Sequence, residues 1–360
     1  MVAKNWNYRF EKLQKCLKSW APKFLPSLAS RVEVLNVFAL SRVYYVASIL
    51  PINKTMIRKF ESALGKFLWN SGGWLLRVAM DEVKNKRNKG GLGLVCIESM
   101  CSSLITSQFL RLLKSSDERS VAHVAYWIGD SLSYLSSDLE TGSHATEIPD
   151  YFAAIEELFV LGRIDEIITP GTWRRITNKM LYHEKSKHFS VPKVELESGG
   201  SFQRVWQLIN SSILTSSARD ISFLLVHNKL PVPERLHRVG VKKDPYCDTC
   251  LGNQISNLEH FFCSCSKVVL VWLWIKPKLV SLIGEDIPDL KLIQYMFPKT
   301  DHDNEVVWLL GSYLEFVWVS IHVKKKPFLQ SEQTFGFLKF KYKESNLGAR
   351  YPLSNIPGFD

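Results

Sequence analysis

The run YCDTCLGNQISNLEHFFCSCSKVVLVW, residues 246–272, decides how the rest of the chain is read. It places Cys247, Cys250, His260 and Cys265 in a C-x2-C-x9-H-x4-C spacing. Thiolate and imidazole donors suit a tetrahedral zinc ion. Two ligands from one knuckle and two from a following turn close such a shell. With all four positions filled by protein, no activated water remains, so the zinc is expected to be structural. The segment between the pairs is too polar to fold alone, and in small modules of this kind metal binding supplies most of the folding free energy. Cys263 is an alternative fourth ligand: on a helix it shares a face with His260 at i,i+3, whereas Cys265 at i+5 requires the helix to end. The reading favours Cys265. The bland alternative is a reduced cluster packed as ordinary core.

Composition frames that motif. A chain of 360 residues with 46% hydrophobic content has room for two or three cored domains. Seven cysteines, mostly clustered, do not form a secreted disulfide framework. The N-terminus carries charge from Lys4 onward and lacks an apolar signal segment. An intracellular protein, nuclear or cytoplasmic and not secreted, is expected, without membrane association. The net charge of +11 is uneven. Residues 1–91 carry 17 Lys/Arg against 5 Asp/Glu, and residues 117–170 carry 2 against 11. A basic N-terminal region points to a polyanionic partner, RNA or DNA.

Apolar periodicity is helical throughout. Trp6, Phe10, Leu13, Leu17 and Trp20 form one stripe of a helix over 4–20, broken by Pro22 and Pro26. Residues 28–50 are apolar nearly all round, which places that helix inside a bundle. Asn53 is the expected N-cap of a helix over 54–69. Its polar side carries Lys54, Arg58, Lys59 and Lys66 with Trp69 among them, the cations and ring that phosphate contact and base stacking need. Lys84, Lys86, Arg87 and Lys89 are a second candidate phosphate-contacting group. The glycines after them, Gly90, Gly91 and Gly93, predict a turn leading into a helix at about 98–115. Further helices are expected near 119–127, 150–161 and 171–184, with linkers at Ser136-Ser137 and 197–201. Past the cysteines an apolar helix runs from Val268 to Ile275, its Trp272 and Trp274 expected against the knuckle, and Pro277 is expected to kink or end it. A last apolar helix spans about 303–322, and 327–360 is expected to be loosely ordered.

Two stretches resemble known sequence. Val205-Trp206, the run from Phe223 to Pro231, Glu234-Arg-Leu-His-Arg238, Cys247 and Cys250, Glu259-His260-Phe-Phe, Cys265 and Trp272 resemble the zinc-binding domain that follows the polymerase in LINE-type, non-LTR retrotransposon reverse transcriptases. Phe261 stands where that family has Leu. Phe10-Glu-Lys-Leu, Arg31-Val, Tyr44-Tyr45, Leu50-Pro51, Phe67-Leu-Trp-Asn70 and Lys89-Gly-Gly-Leu-Gly-Leu94 are similar to the thumb of the same polyproteins. The two stretches cover about half the chain, in the family's order. The parent activity implied is RNA-directed DNA polymerisation. That chemistry needs palm aspartates holding two Mg²⁺ ions, and no Asp-Asp pair occurs in this sequence. The thumb-like pattern also begins at the start of the chain. A C-terminal remnant without catalytic residues, inactive as a polymerase alone, is therefore expected.

The architecture expected is mainly α: a basic helical thumb-like bundle (1–115), an acidic helical linker (116–200), a zinc-binding module of reverse-transcriptase type with flanking helices (201–285), and a C-terminal helix with a basic tail (286–360). The expected partners are RNA or DNA and the rest of a retroelement reverse transcriptase. Two other functions stay open. One is a Mg²⁺-dependent endonuclease using Asp289, after Pro288, with Asp303. The other is an inert or recruited scaffold.

Overall fold

The computed structural model describes residues 2–20, 25, 27–69, 78–133, 135, 148–160, 168–169, 171–186, 191–248, 250, 254–323 and 331–344. The expected breaks at Pro22 and Pro26, the linker at Ser136-Ser137 and the lysines at 324–326 lie outside them. The described residues are mainly helical, and their one β-type pairing is an isolated antiparallel bridge between Tyr246 and Ile255. They form two compact units. One comprises Met1–Leu25, Ser30–Leu76 and Gly93–Ser190; the other comprises Pro26–Ala29, Arg77–Leu92 and Val191–Asp360.

In the first unit the helix Val2–Ser19 buries Trp6, Leu13 and Leu17. It meets the helix Lys54–Trp69 edge-to-face, with Trp6 and Phe10 both against Phe60 at centroid separations of 6.2 and 5.3 Å. The Asn53 side chain caps the latter helix, its Oδ1 accepting from the Met56 amide at 2.8 Å. The apolar run 28–50 is not one buried helix. Leu28–Val34 passes into a π-turn, Leu35–Ala39, and then into Ser41–Ala47. The extra residue in that turn rotates the register, so Val37, Phe38, Tyr45 and Ile49 emerge on an exposed side while Leu35, Ala39, Val43 and Val46 are buried. A second core gathers Ile105 and Phe109 of Ile97–Leu113, Ile128 of Glu118–Leu132, Ile155 of Asp150–Val160 and Leu181 of Asn178–Lys185.

The second unit is built on the helix Asp303–Val317, buried continuously from Val306 to Val317. Against it pack Ser216–Val226, Val269–Ile283 and Ser331–Glu344. Within the tail expected to be loose, the described stretch Ser331–Glu344 is helical instead: Leu338 is buried and the Phe337 ring lies 5.1 Å from Phe316, while the rest of 327–360 lies outside the described residues. Pro277 neither ends nor interrupts its helix, which continues to Ile283. Pro277 and Leu273, whose carbonyl has no amide from residue 277 to accept, both lie on the exposed side of the helix. The Trp206 ring stacks on His227 at 5.1 Å, and His227 Nε2 lies 2.9 Å from the Gly90 carbonyl oxygen. That contact makes Nε2 the protonated nitrogen.

His227 sets a pH response. Burial lowers its pKa from 6.5 to about 4. The hydrogen bond to the Gly90 carbonyl opposes this without reversing it, and Lys229 adds to the lowering. The folded state thus resists a proton that the unfolded chain takes up below 6.5. Stability is full above 6.5 and is lost progressively as the pH falls to about 4. The loss should total on the order of 3 kcal/mol. Urea unfolding across that pH range checks it: the slope should shrink in His227→Gln, and an unchanged slope would contradict the assignment.

Candidate metal centre and cationic surfaces

The knuckle begins in a tight local frame. The amide of Cys247 donates to Gln254 O at 2.9 Å and that of Ser256 to Pro245 O at 2.9 Å, on either side of the Tyr246–Ile255 bridge. These bonds close the loop that carries the first two cysteines. Asn257 then starts the next turn, its Oδ1 accepting from the His260 amide at 2.7 Å. His260–Ser264 is a π-turn, closed by the Cys265 amide on the His260 carbonyl at 2.8 Å, and Cys265 leaves it extended at φ −63°, ψ 138°. The wider turn followed by an extended exit swings the fifth residue back beside the first. The i+5 spacing that a plain α-helix could not use is thereby made productive.

The four ligand atoms of Cys247, Cys250, His260 and Cys265 all lie within 4.8 Å of one another. Cys247 Sγ is 3.7 Å and Cys250 Sγ 3.8 Å from Cys265 Sγ, and Cys250 Sγ is 3.4 Å from His260 Nε2. A tetrahedron with Zn–S of ~2.3 Å has sulfur–sulfur edges of ~3.8 Å and sulfur–nitrogen edges of ~3.5 Å. The observed edges fit a zinc ion, with Nε2 as the imidazole donor. Nδ1 is left to Ser264 Oγ at 3.4 Å, and Ser266 Oγ lies 3.5 Å from Cys250 Sγ. Hydroxyl partners of this sort orient ligands and tune their charge. Burial raises the Cys250 thiol pKa, but the hydrogen bonds from Ser266 outweigh it and the net shift is downward. Burial pushes the Cys265 thiol up to about 12. Cys263 is not in the cluster; it is buried on the other side of the turn and burial raises its pKa strongly.

The core carries this turn rigidly. Tyr313 Oη donates to the Phe262 carbonyl, and the Tyr313 ring lies 5.3 Å from Trp272. Trp274 instead meets Phe335 edge-on at 6.2 Å, away from the knuckle where it was expected.

The site defined by this geometry is a Cys3His centre in an α-helical setting. Residues 189–272 match the family model described as zinc-binding in reverse transcriptase, so this part of the chain is a reverse-transcriptase zinc-binding region. No curated protein matches the chain. No helix among the described residues is long and apolar enough to cross a membrane.

The expected nucleic-acid-contacting residues separate. Lys54, Arg58, Lys59 and Lys66 are all exposed on the helix Lys54–Trp69, within an arc of about 140° at 3.6 residues per turn. Trp69 is buried at 4% exposure, so its ring is core and unavailable for stacking; this corrects the sequence reading. Lys86, Arg87 and Lys89 are exposed around a short 3₁₀ turn in the other unit. Lys84 is also corrected: its side chain is only 8% exposed and pairs with Asp81 at 2.9 Å. Sequence reasoning missed Tyr8. It is 51% exposed and has Arg9 and Lys12 over its ring at 5.7 and 5.4 Å. With exposed Lys4, Lys12 and Lys15 it forms a stripe within about 80° of helix arc. The i,i+4 repeat of cation, aromatic and cation was the available signal.

The two acids of the endonuclease alternative are occupied separately. Asp289 accepts from Trp272 Nε1 at 2.9 Å and pairs with Lys276 at 2.8 Å. Asp303 is clamped by both terminal nitrogens of Arg204 at 2.7 Å. Neither belongs to a candidate metal cluster among the described residues.

Proposed function

We propose that this chain is a nucleic-acid-binding, zinc-stabilised C-terminal part of a LINE-type reverse transcriptase, without polymerase activity of its own. The observation that carries the reading is the coincidence of the reverse-transcriptase zinc-binding match with four ligand atoms within 4.8 Å of one another, three of their separations at tetrahedral edge length. The zinc is structural, since its four protein ligands leave no open position. The lack of an Asp-Asp pair supports the loss of polymerisation. The exposed cations at 54, 58, 59 and 66 and the Tyr8 stripe support phosphate neutralisation with stacking on RNA or DNA. The rest of a retroelement reverse transcriptase is the natural protein partner, and the compartment is nuclear or cytoplasmic.

Fluorescence anisotropy with a labelled RNA and the matching DNA at several salt concentrations tests this. The log–log salt slope should be about −0.7 to −0.9 per neutralised phosphate. Replacing Lys54, Arg58, Lys59 and Lys66 together by Ala should flatten it by roughly 3, at about 0.7 to 0.9 for each of the four cations. Binding that ignores salt, or none at 50 mM, would remove the proposal.

A further inference from the structure

We propose that a small recess in the second unit, between Arg87, Ser216 and Arg219, is a phosphate subsite. The recess has a volume of about 30 Å³ and is floored by Leu92, Ile209 and Phe223. A void of that size holds roughly two water-sized groups. It admits two oxygens of a phosphate and excludes a base or a sugar, and this sets the ligand class. Arg87 and Arg219 both line it. The Nε–H of Arg219 is buried and has no hydrogen-bond acceptor. A charged donor left so is destabilising unless a ligand or water completes it. A tetrahedral oxyanion supplies the missing acceptor, and guanidinium is the side chain best shaped to bind one.

The surroundings hold the recess in shape. The Asn210 side-chain Nδ2 donates to Arg87 O at 3.2 Å and to Trp206 O at 2.8 Å, tying the basic turn to the helix Gln203–Ile209. The carboxylate of Asp220 also lines the recess. It is engaged by the Leu28 amide at 2.8 Å, and two arginines against one acid leave the recess cationic. Apolar atoms beneath exclude bulk water from one side of an incoming anion, which strengthens charge-assisted bonds to it.

The subsite deepens the nucleic-acid reading, in which the phosphate belongs to a polynucleotide backbone, but the anion site stands on its own geometry. The test uses the full, zinc-loaded chain and titrates inorganic phosphate against sodium chloride at equal ionic strength, followed by isothermal calorimetry. Phosphate should bind at one site. Arg219→Gln should weaken it at least tenfold, and Arg87→Gln, an exposed position that leaves the fold intact, roughly tenfold. A second arm measures a single-stranded oligonucleotide, whose salt slope should fall by about 0.7 in either variant. Phosphate binding lost in both variants without any oligonucleotide binding would keep the subsite and discard the nucleic-acid reading. Wild-type chain that ignores phosphate, or variants that bind it as wild type does, would overturn the subsite whatever the oligonucleotide does.

Discussion

Cys265→Ser is expected to leave the chain unable to retain a stoichiometric zinc ion, while Cys263→Ser keeps it. The sulfur of Cys265 stands 3.7 and 3.8 Å from the other two thiols, and removing it opens the shell on its buried side. Structural zinc sites contribute about 10–16 kcal/mol, most of it spent on ordering their own loop. Among the described residues, the loop is braced by the Tyr246–Ile255 bridge and its flanking bonds, by the Glu234 amide on Ser256 O at 3.2 Å, and by Lys242 through Tyr246 O at 2.8 Å and Asp248 at 2.7 Å. The damage should stay local, because Phe262, Trp272 and Tyr313 are fully packed without the metal. Elemental analysis should give close to one zinc for wild type and Cys263→Ser, and near none for Cys265→Ser. Hydrogen exchange should rise across 244–260, with the helical circular dichroism nearly unchanged. Cys263→Ser should cost about 1–3 kcal/mol for placing a hydroxyl in an apolar site. The reverse metal pattern in the two variants would refute the ligand assignment. Since burial holds the Cys265 thiol near 12, zinc must displace its proton, and affinity should climb with pH.

Gly91→Ala is the largest effect expected of a single methyl group in this chain. A Cβ there would fall 2.0 Å from the backbone oxygen of Asn85, which cannot yield without moving the turn. That turn is held by the Gly91 amide on Lys86 O at 3.1 Å and the Leu92 amide on Val83 O at 3.0 Å, and its Gly90 carbonyl meets buried His227. A loss of about 4 kcal/mol or more is expected, in the range reserved for overpacking and forced backbone shifts. Gly93→Ala is the control. Unlike Gly91 it has a left-handed φ of 75°, but nothing lies within 4 Å of its Cβ, so the backbone cost alone of about 1 kcal/mol applies. Denaturant midpoints for the two variants decide the matter; equal losses would mean that the crowding at Gly91 relaxes freely.

Cationic surfaces show where sequence reading stops. On the helix after Asn53, the cap and the exposed side carrying Lys54, Arg58, Lys59 and Lys66 followed from spacing alone. Trp69 did not, since a tryptophan at a helix end reads equally as a stacking platform or as core until a neighbour is seen to cover it. Lys84 and Pro277 mislead in the same manner: one lysine among four is folded down onto Asp81, and one proline is spared because its side of the helix meets water.

What the sequence determined alone was chemistry and period. Sulfur and imidazole donors at that spacing point to a zinc-type site, and apolar residues every three to four positions make the chain helical, because both depend on near neighbours along the backbone. Tertiary structure decided which sulfur completes the shell, which turns widen to five-residue hydrogen bonding and which charges reach solvent. Those outcomes depend on what packs across from each residue. The Phe262 carbonyl beneath Tyr313 and the Gly90 carbonyl beside His227 are contacts between segments 51 and 137 residues apart, and no local pattern encodes them.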